Sequence, residues 1–349
     1  MLSDFMKFIK KIHLSAGMRI GIMTFGWLIF ITWFHVWLNF DKSDIKTVKM
    51  GYMPVITNMA APLLDFVSRD SRDIRFSAIK FASFAEMAES LRNDDIDAAF
   101  MIAPLAVVLK QQREDVKIIY IGNRHESTLV VAKNSGIHRF ADLSGKTLAV
   151  PMRYSGHNIS SLDLMEKYGL EGRIHIVEMN PPDMAAAMSA KALDAYYVGE
   201  PFAAQALKSG DARLLFYVED VWENFICNLV LVKNDLIKND PELVGNLVQS
   251  AARSGFWARK HPDSAARIAS KYWNQSPELV LHAMTVPKDR ILYDRYIPVQ
   301  AEIEHLAAKM LHHGLIENDD IRGLVDDRFA KQADISNIGD INTILNFDW

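Results

Sequence analysis

The sequence has a single cysteine and none of the short motifs that mark common catalytic and nucleotide-binding sites. Cys227 alone can form neither an internal disulfide nor a cysteine-rich zinc or iron–sulfur site. There is no GxGxxG, HExxH or GxSxG, and Phe140 stands where a phosphate-binding loop ending in Gly145-Lys146-Thr147 needs a glycine. We therefore expect no enzyme activity, no cofactor and no metal site.

Basic residues are also outnumbered by acidic ones. The chain has 43 acidic and 39 basic residues, a net charge of −4, and the basic excess of residues 1–19 leaves the remainder more acidic still. A surface of that sign repels polyanions, which argues against nucleic acid as a partner. The 349 residues, half of them hydrophobic, suit two folded α/β lobes with a short appendage.

One long uncharged run lies near the N-terminus. Residues 20–40 carry no formal charge, and at about 1.5 Å per residue a helix of that length crosses the hydrocarbon core of a bilayer. Basic residues precede the run and DKSD follows it, so residues 1–19 are predicted to be a basic cytoplasmic segment. The bulky residues at its end favour a transmembrane anchor, or uncleaved signal, over a cleaved signal peptide. We expect a single-pass protein of the cytoplasmic (inner) membrane, with its globular domain in the periplasm or on the extracellular side.

Beyond residue 45, short β-branched runs alternate with helical patterns, which is typical of the α/β class with parallel sheets and crossover helices. Helical periodicity is clear in 84–92, 159–168 and 182–190, and prolines mark the starts of two longer helices at 241–260 and 262–273. Ten strands are predicted, at 47–53, 74–80, 96–102, 117–122, 128–132, 146–150, 173–177, 192–198, 214–218 and 229–233.

Four segments carry a family resemblance: KMGYMPVITNMAAPL, EMAESLRNDDIDAAFMIAPLAVV, FADLSGKTLAVPMRYSGHNISS and LDAYYVGEPFAAQAL, in that order. Together they resemble the nitrate/sulfonate/taurine-type family of periplasmic solute-binding proteins, whose fold is shared with pyrimidine-precursor binding proteins of thiamine biosynthesis. The resemblance implies a two-lobed periplasmic binding protein fold (type II) over residues 46–330. Lobe 1 would comprise about 46–128 and 225–290, lobe 2 about 129–224, and a C-terminal tail would follow at 331–349. The resemblance also implies that the chain captures a small molecule and delivers it to ABC permease and ATPase subunits.

Candidate ligand-binding residues lie where predicted strands give way to loops and helices, because ligands of open α/β sheets bind beyond the carboxyl ends of the strands. Several candidates could equally cap a helix or form a structural turn, among them Thr57, Asn58 and Glu200. The full set is Tyr52, Pro54, Thr57, Asn58, Phe84, Met101, Ala103, Asn123, Arg153, Tyr154, Ser155, Gly156, His157, Asn180, Glu200 and Phe202.

Two ligand classes remain open. Positive charge at Arg153, His157 and Arg124, with a backbone nest at 155–157, favours a small oxyanion such as nitrate, a sulfonate or taurine. The alternative is a planar pyrimidine-type thiamine precursor stacked on Tyr52, Tyr154 or Phe84.

Two further functional classes deserve comparison. A membrane-tethered receptor would use the same two lobes with a separate signalling partner, because residues 1–19 are too few for a signalling domain. An enzyme similar to the iron- and histidine-using pyrimidine synthase is disfavoured, since that relative carries a cysteine-rich motif. His305, His312 and His313 fall in one helical stretch, but no carboxylate nearby in the sequence completes a metal set.

Overall fold

The computed structural model describes residues 15–39 and 45–345. The chain divides after Lys46 into two compact units, and the first contains helix α1 (Ala16–Asn39). Within α1 the segment Ile20–Trp37 is long and apolar enough to cross a membrane, and none of it is buried. Such a helix near the N-terminus fits a signal or an anchor. Residues 1–14 of the predicted cytoplasmic segment, together with Phe40, lie outside the described residues.

Two five-stranded sheets, one per lobe, form the centre of the second unit. The first sheet has the order β2-β1-β3-β10-β4 and the second the order β7-β6-β8-β5-β9. Every one of the ten predicted strands overlaps an observed one, with ends that agree to within three residues. The strands are β1 (Lys46–Tyr52), β2 (Ile74–Lys80), β3 (Ala98–Ile102), β4 (Val116–Ile121), β5 (Ser127–Ala132), β6 (Thr147–Val150), β7 (His175–Glu178), β8 (Ala195–Gly199), β9 (Ala212–Tyr217) and β10 (Asn228–Lys233).

Helices cover both sheets, so the fold is the expected two-lobed α/β fold. Several begin with proline at a first-turn position, where the missing N–H costs no hydrogen bond, as at Pro241, Pro262 and Pro277. The helices are α2 (Ala60–Ser68), α3 (Phe84–Arg92), α4 (Ala103–Gln111), α5 (Gly156–Tyr168), α6 (Pro181–Ser189), α7 (Phe202–Ser209), α8 (Asn234–Asn239), α9 (Pro241–Lys260), α10 (Pro262–Trp273), α11 (Pro277–Thr285), α12 (Gln300–His312) and α13 (Arg328–Gln332).

Strand direction departs from the expected parallel arrangement. β1 runs parallel to β3, and β6 runs parallel to β7 and β8. However, β10 is antiparallel to β3 and β4, and β5 is antiparallel to β8 and β9. The chain enters the second sheet through β5 and returns to the first through β10, and these two strands run against their neighbours. Both sheets are therefore mixed. The sequence did not predict this, because the alternation of strands and helices does not reveal where the chain passes from one lobe to the other.

The segment that follows α13 belongs to the first lobe. The buried Arg253 of α9 donates from Nε to the carbonyl of Thr343 at 2.7 Å. Its Nη1 donates to the carbonyls of Asp334 and Ser336 at 2.8 and 2.9 Å. Ile338 and Ile344 are buried in the same core as α9. Residues 331–345, predicted as a tail, are thus held against the first lobe, and residues 346–349 lie outside the described residues.

The chain crosses between the sheets at two places, from β4 to β5 and from β9 to β10. At the first crossing, Gly122 packs so closely on the loop after β1 that an added Cβ would overlap the carbonyl of Thr57. At the second, Phe225 and Cys227 are buried in the core of the second lobe. The crossings therefore bring the loop after β1 next to residues of the second lobe.

Candidate functional site

A cleft of about 280 Å³ lies between the two lobes at the carboxyl ends of β1, β6 and β7. This position is where open α/β sheets bind their ligands. Two of the predicted residues, Phe84 and Asn180, face each other across it. The cleft is lined by Met53, Ser83, Phe84 and Ala85 of the first lobe and by Pro151, Met152, Glu178, Met179, Asn180 and Pro181 of the second.

Glu126 lies on the first crossing and is fully buried. Its Oε2 accepts a hydrogen bond from the backbone N–H of Glu200 at 2.8 Å, and its Oε1 accepts one from the Ser127 hydroxyl at 3.0 Å. Burial raises the pKa of Glu126 to about 7, although hydrogen bonds from Cys227 and Ser127 oppose that rise. A buried carboxyl at the junction of the lobes therefore titrates near neutral pH.

Arg290 connects the first crossing to the end of the second sheet. Its Nε pairs with Oε1 of Glu219 at 2.7 Å, and its Nη2 donates to the carbonyl of Ser127 at 2.5 Å. Its Nη1 donates to Thr128 Oγ1 at 3.1 Å, and the guanidinium lies 3.9 Å from the ring centroid of Tyr217. These contacts engage all three nitrogens of the buried Arg290 guanidinium. Arg290 therefore holds the crossing in place.

The carboxylate of Glu200 completes the same network. It accepts a hydrogen bond from the Thr128 hydroxyl at 2.8 Å and one from the backbone N–H of Ala204 at 2.8 Å. Burial raises the pKa of Glu200 above its usual range, while the Ala204 amide and the charge of Arg290, 3.9 Å away, oppose the rise. Glu200 therefore has structural partners at the start of α7 and in the crossing, and whether it also contacts a ligand stays a prediction.

His157 lies in the first turn of α5 and is buried beneath the second crossing. Its Nε2 is 2.9 Å from the hydroxyl of Ser127, and its ring packs edge-on against Tyr197 and Phe225 at 5.1 and 5.5 Å. Burial lowers the pKa of His157 to about 3, so the imidazole is neutral at physiological pH. It offers a solute a hydrogen-bonding nitrogen without a charge.

Several polar side-chain atoms where the lobes meet are buried with few hydrogen-bond partners. Oδ1 of Asn123 and Nδ1 of His157 have none, whereas the hydroxyls of Thr57 and Tyr197 have only loose contacts, with Cys227 and Ser160 respectively. An unpaired buried polar atom costs about 1–3 kcal/mol, so a bound molecule that supplied partners for these atoms would stabilise the fold.

Of the two arginine candidates, one is paired with a carboxylate and the other is exposed. The guanidinium of Arg124 is buried, pairs with Glu302 at 2.7 Å and donates to the carbonyl of Asn224 at 3.0 Å. Arg153 is exposed, with its guanidinium 5.0 Å from the ring centroid of Tyr154. Together with neutral His157, these positions leave the paired guanidinium of Arg290 as the cation beside the carboxylates of Glu126 and Glu200, as far as the chain is described.

Several other candidates have structural partners. The amide of Asn58 donates to the carbonyl of Met53 at 3.0 Å and accepts from Asn228 at 2.8 Å. The side chain of Ser155 caps α5 by accepting from the backbone N–H of Asn158 at 3.2 Å. An added Cβ at Gly156 would come within 2.6 Å of the Phe225 ring. Buried among the lobes' apolar residues are Tyr52, Met101, Ala103 and Phe202, and Pro54 is buried in the turn after β1.

Sequence patterns gave no separate signal for Arg290, Tyr197 or Glu126. Arg290 lies in an irregular stretch far along the chain from its partners, and Tyr197 looks like any aromatic residue of a buried strand. Glu126 belongs to the polar run between β4 and β5, which is the one signal that indicated this region. Which of the candidates touch a ligand stays a prediction.

Comparison with known proteins agrees with this fold. A model of the NMT1-like family matches residues 41–272. A protein of Bacillus subtilis (strain 168) named for binding aliphatic sulfonates is 22% identical over 306 residues, 84% of this chain and 90% of its own length. The taurine-binding periplasmic protein of Escherichia coli (strain K12) is 29% identical over 204 residues, 54% of this chain and 62% of its own length.

Solved structures resemble the chain over most of its length. The ligand-binding component of an ABC-type import system from Staphylococcus aureus, with zinc bound, has a TM-score of 0.75 and 21% identity, over 83% of this chain and all of that one. The desulfurization enzyme DSZB is a more distant match, with a TM-score of 0.60 and 15% identity over 82% of this chain and 98% of its own. At these identities the likeness shows the fold alone.

Proposed function

We propose that this chain, which belongs to the NMT1-like family, is the solute-binding component of an ABC-type importer and holds a small solute between its two lobes. The observation that carries the proposal is the cleft of about 280 Å³ lined by residues of both lobes, together with the buried polar side chains of Thr57, Asn123, His157 and Tyr197 where the lobes meet. A solute that supplies their hydrogen-bond partners would stabilise the closed arrangement of the lobes. The solute would then be passed to a permease, with its ATPase, that recognises the closed form.

The first candidate ligand is a sulfonate or taurine-like anion, because relatives are named for binding such compounds. The guanidinium groups of Arg124 and Arg290 are paired with carboxylates, so neutral hydroxyl, imidazole and backbone N–H groups would hold most of it. Such groups can bind an oxyanion when they converge on it.

A pyrimidine-type precursor is the second candidate, and a specific observation favours it. The cleft walls carry Met53, Phe84, Met152 and Met179, and the adjoining polar groups are uncharged or carboxylic. Apolar walls with a few neutral hydrogen-bonding groups suit a flat, uncharged heterocycle.

A capture role fits the chemistry of the site better than catalysis. Burial, followed by the neighbouring Glu126 carboxyl, raises the pKa of Cys227 well above its usual range, so this thiol is a poor nucleophile. Among the described residues, the side chains around Cys227 hold one another in place and converge on no activated nucleophile. We further propose that α1 tethers the domain to the outer side of the cytoplasmic membrane as a single-pass anchor.

The test is a thermal-shift panel on the full chain in detergent. Taurine, alkanesulfonates, nitrate, bicarbonate and pyrimidine precursors are added in turn, because a ligand that binds only the folded state raises the melting temperature. The variant Thr57→Val removes a buried hydroxyl whose contact within the fold is the weakly hydrogen-bonding Cys227 thiol, so it should change the melting temperature of the free protein little and reduce the ligand shift.

Ser250→Ala is the matched control, since the Ser250 hydroxyl is also buried but lies on α9, away from the cleft. It should leave the ligand shift intact. A shift with a sulfonate supports the anion, and one with a pyrimidine supports the second candidate. The absence of any shift, or equal shifts in Thr57→Val and the parent, would contradict a solute bound at this junction.

A further inference from the structure

Two histidines at the end of α12 lie beside two carboxylates of α5. Nε2 of His312 is 2.8 Å from Oε2 of Glu166, and Nε2 of His313 is 2.7 Å from Oδ1 of Asp163. The ligand atoms that Glu166, His312 and His313 offer all lie within 4.8 Å of one another. The carboxylates are about 150 positions away in the chain, which is why the sequence around the histidines does not indicate them.

The two helices belong to different lobes. On α12, Leu306 and Met310 are buried with Leu105 and Leu109 of α4, in the core of the first lobe. On α5, Leu164 and Met165 share a core with strands of the second sheet. The histidine–carboxylate cluster therefore crosses from one lobe to the other.

The donor types and their spacing suit a divalent transition metal. Imidazole nitrogen and carboxylate oxygen bind Zn²⁺ at about 2.0–2.2 Å, so ligands of one ion lie roughly 3–4 Å apart. The three ligand atoms lie within 4.8 Å of one another, and small side-chain rotations would bring them to that range. Such rotations are open to His312 and Glu166 because their side chains are 60% and 51% exposed. Nearby fixed charges, the carboxylates of Asp163 and Glu166 against the ammonium of Lys309, sum to −1 and attract a cation.

Asp163 has the position of a residue that orients a metal ligand. Its Oδ1 contacts Nε2 of His313, whose side chain is only 10% exposed, and its Oδ2 accepts from Lys309 Nζ at 2.5 Å. Metal-binding histidines commonly donate their second ring nitrogen to a carboxylate that is itself hydrogen-bonded. The contact leaves Nδ1 of His313 for the metal.

We propose that Glu166, His312 and His313 bind one zinc-type divalent ion that links the two lobes, with Asp163 orienting His313. The ion would favour the closed arrangement of the lobes, because α5 and α12 can ligate it together only when they are close. By linkage, zinc would then strengthen solute binding and solute would strengthen zinc binding by the same factor. The site itself does not depend on the identity of the solute or on the proposed transport role.

The experiment titrates the chelator-treated full chain, in detergent, with ZnCl₂ by isothermal calorimetry. One ion per chain is expected, and His312→Ala and Glu166→Gln should each weaken binding at least roughly tenfold, the scale on which loss of even an outer partner acts. Both side chains are exposed, so these variants keep the fold. His138→Ala, an exposed histidine elsewhere on the second lobe, is the matched control and should bind as the parent does. No binding by the parent, or equal binding by the parent and both variants, would overturn the site.

A second readout tests whether the ion links the lobes. Spin labels on Glu86→Cys and Asp183→Cys, exposed positions on α3 and α6, report the distance across the cleft, since native Cys227 is buried. Zinc should narrow the distance distribution in this labelled protein and leave it unchanged when His312→Ala is added. Zinc binding at these residues with an unaltered distance distribution would refute the link between lobes.

Discussion

Glu126→Gln tests the electrostatics of the junction directly. The carboxyl is fully buried, and its pKa of about 7 stands against an ordinary value of 4.5. Between these two values the folded chain keeps the proton that the unfolded chain has lost. Stability of the parent therefore falls as pH rises from about 4.5 to 7 and is level above that range with respect to this group.

The size of the effect follows from the separation of the two pKa values. A shift of about 2.5 units corresponds to about 3 kcal/mol, at about 1.4 kcal/mol per unit. Glutamine has the shape of the protonated acid and can still accept from the Glu200 amide, but it never becomes charged. The difference in unfolding free energy, variant minus parent, should therefore rise by about 3 kcal/mol from pH 4.5 to 7 and then stay constant.

The assay is urea unfolding of the full chain in detergent, followed by far-UV circular dichroism at half-unit steps from pH 4.5 to 8.5. The lowered pKa of His157 makes both proteins lose stability as pH falls below about 6.5. Subtracting the unfolding free energy of the parent from that of the variant removes this shared contribution. Glu171→Gln, at an exposed turn, should show no such rise. A variant-minus-parent difference that is flat across this range would refute the assignment of a near-neutral pKa to Glu126.

Further predictions concern packing and charge. Gly122→Ala should destabilise the chain by at least roughly 1–3 kcal/mol in urea unfolding, because its Cβ would overlap a backbone carbonyl, whereas Gly339→Ala, with open space around it, should not. Arg290→Ala should cost about 3–5 kcal/mol because it leaves the buried Glu200 and the partly buried Glu219 without their cation, while Arg328→Ala, at an exposed arginine, should cost under about 1 kcal/mol. Cys227 should resist thiol reagents in the folded chain and react after unfolding; equal rates would contradict its burial and raised pKa.

The elements of the fold were predictable because they depend on local patterns. The helices at 84–92, 241–260 and 262–273 begin and end where the sequence predicts, since a capping serine or a leading proline marks the start of each. The strands followed from β-branched runs in the same way. Strand direction could not be predicted in this way, because β5 and β10 are antiparallel to their neighbours only as a result of the chain's passage between the lobes.

Of the candidates predicted at strand ends, Phe84 and Asn180 line one cleft, and that a ligand binds there stays a prediction. The charge of the site could not be predicted, because Arg124 is paired with Glu302, 178 positions away. Likewise, Arg290 lies 163 and 162 positions after Ser127 and Thr128, which it contacts. Long-range ion pairs decide which charges remain free, and a single sequence contains no local trace of them.

The order of the strands in the two sheets has a consequence for synthesis. The second sheet is built from one continuous stretch, Ser127 to Tyr217, whereas the first needs β10 and also packs against the segment that Arg253 holds. During translation the second lobe can therefore complete its sheet, and soon after it the core that includes Cys227, while the first still waits for residues near Thr343. The half encoded first would finish last, and its exposed edges would need protection in the meantime.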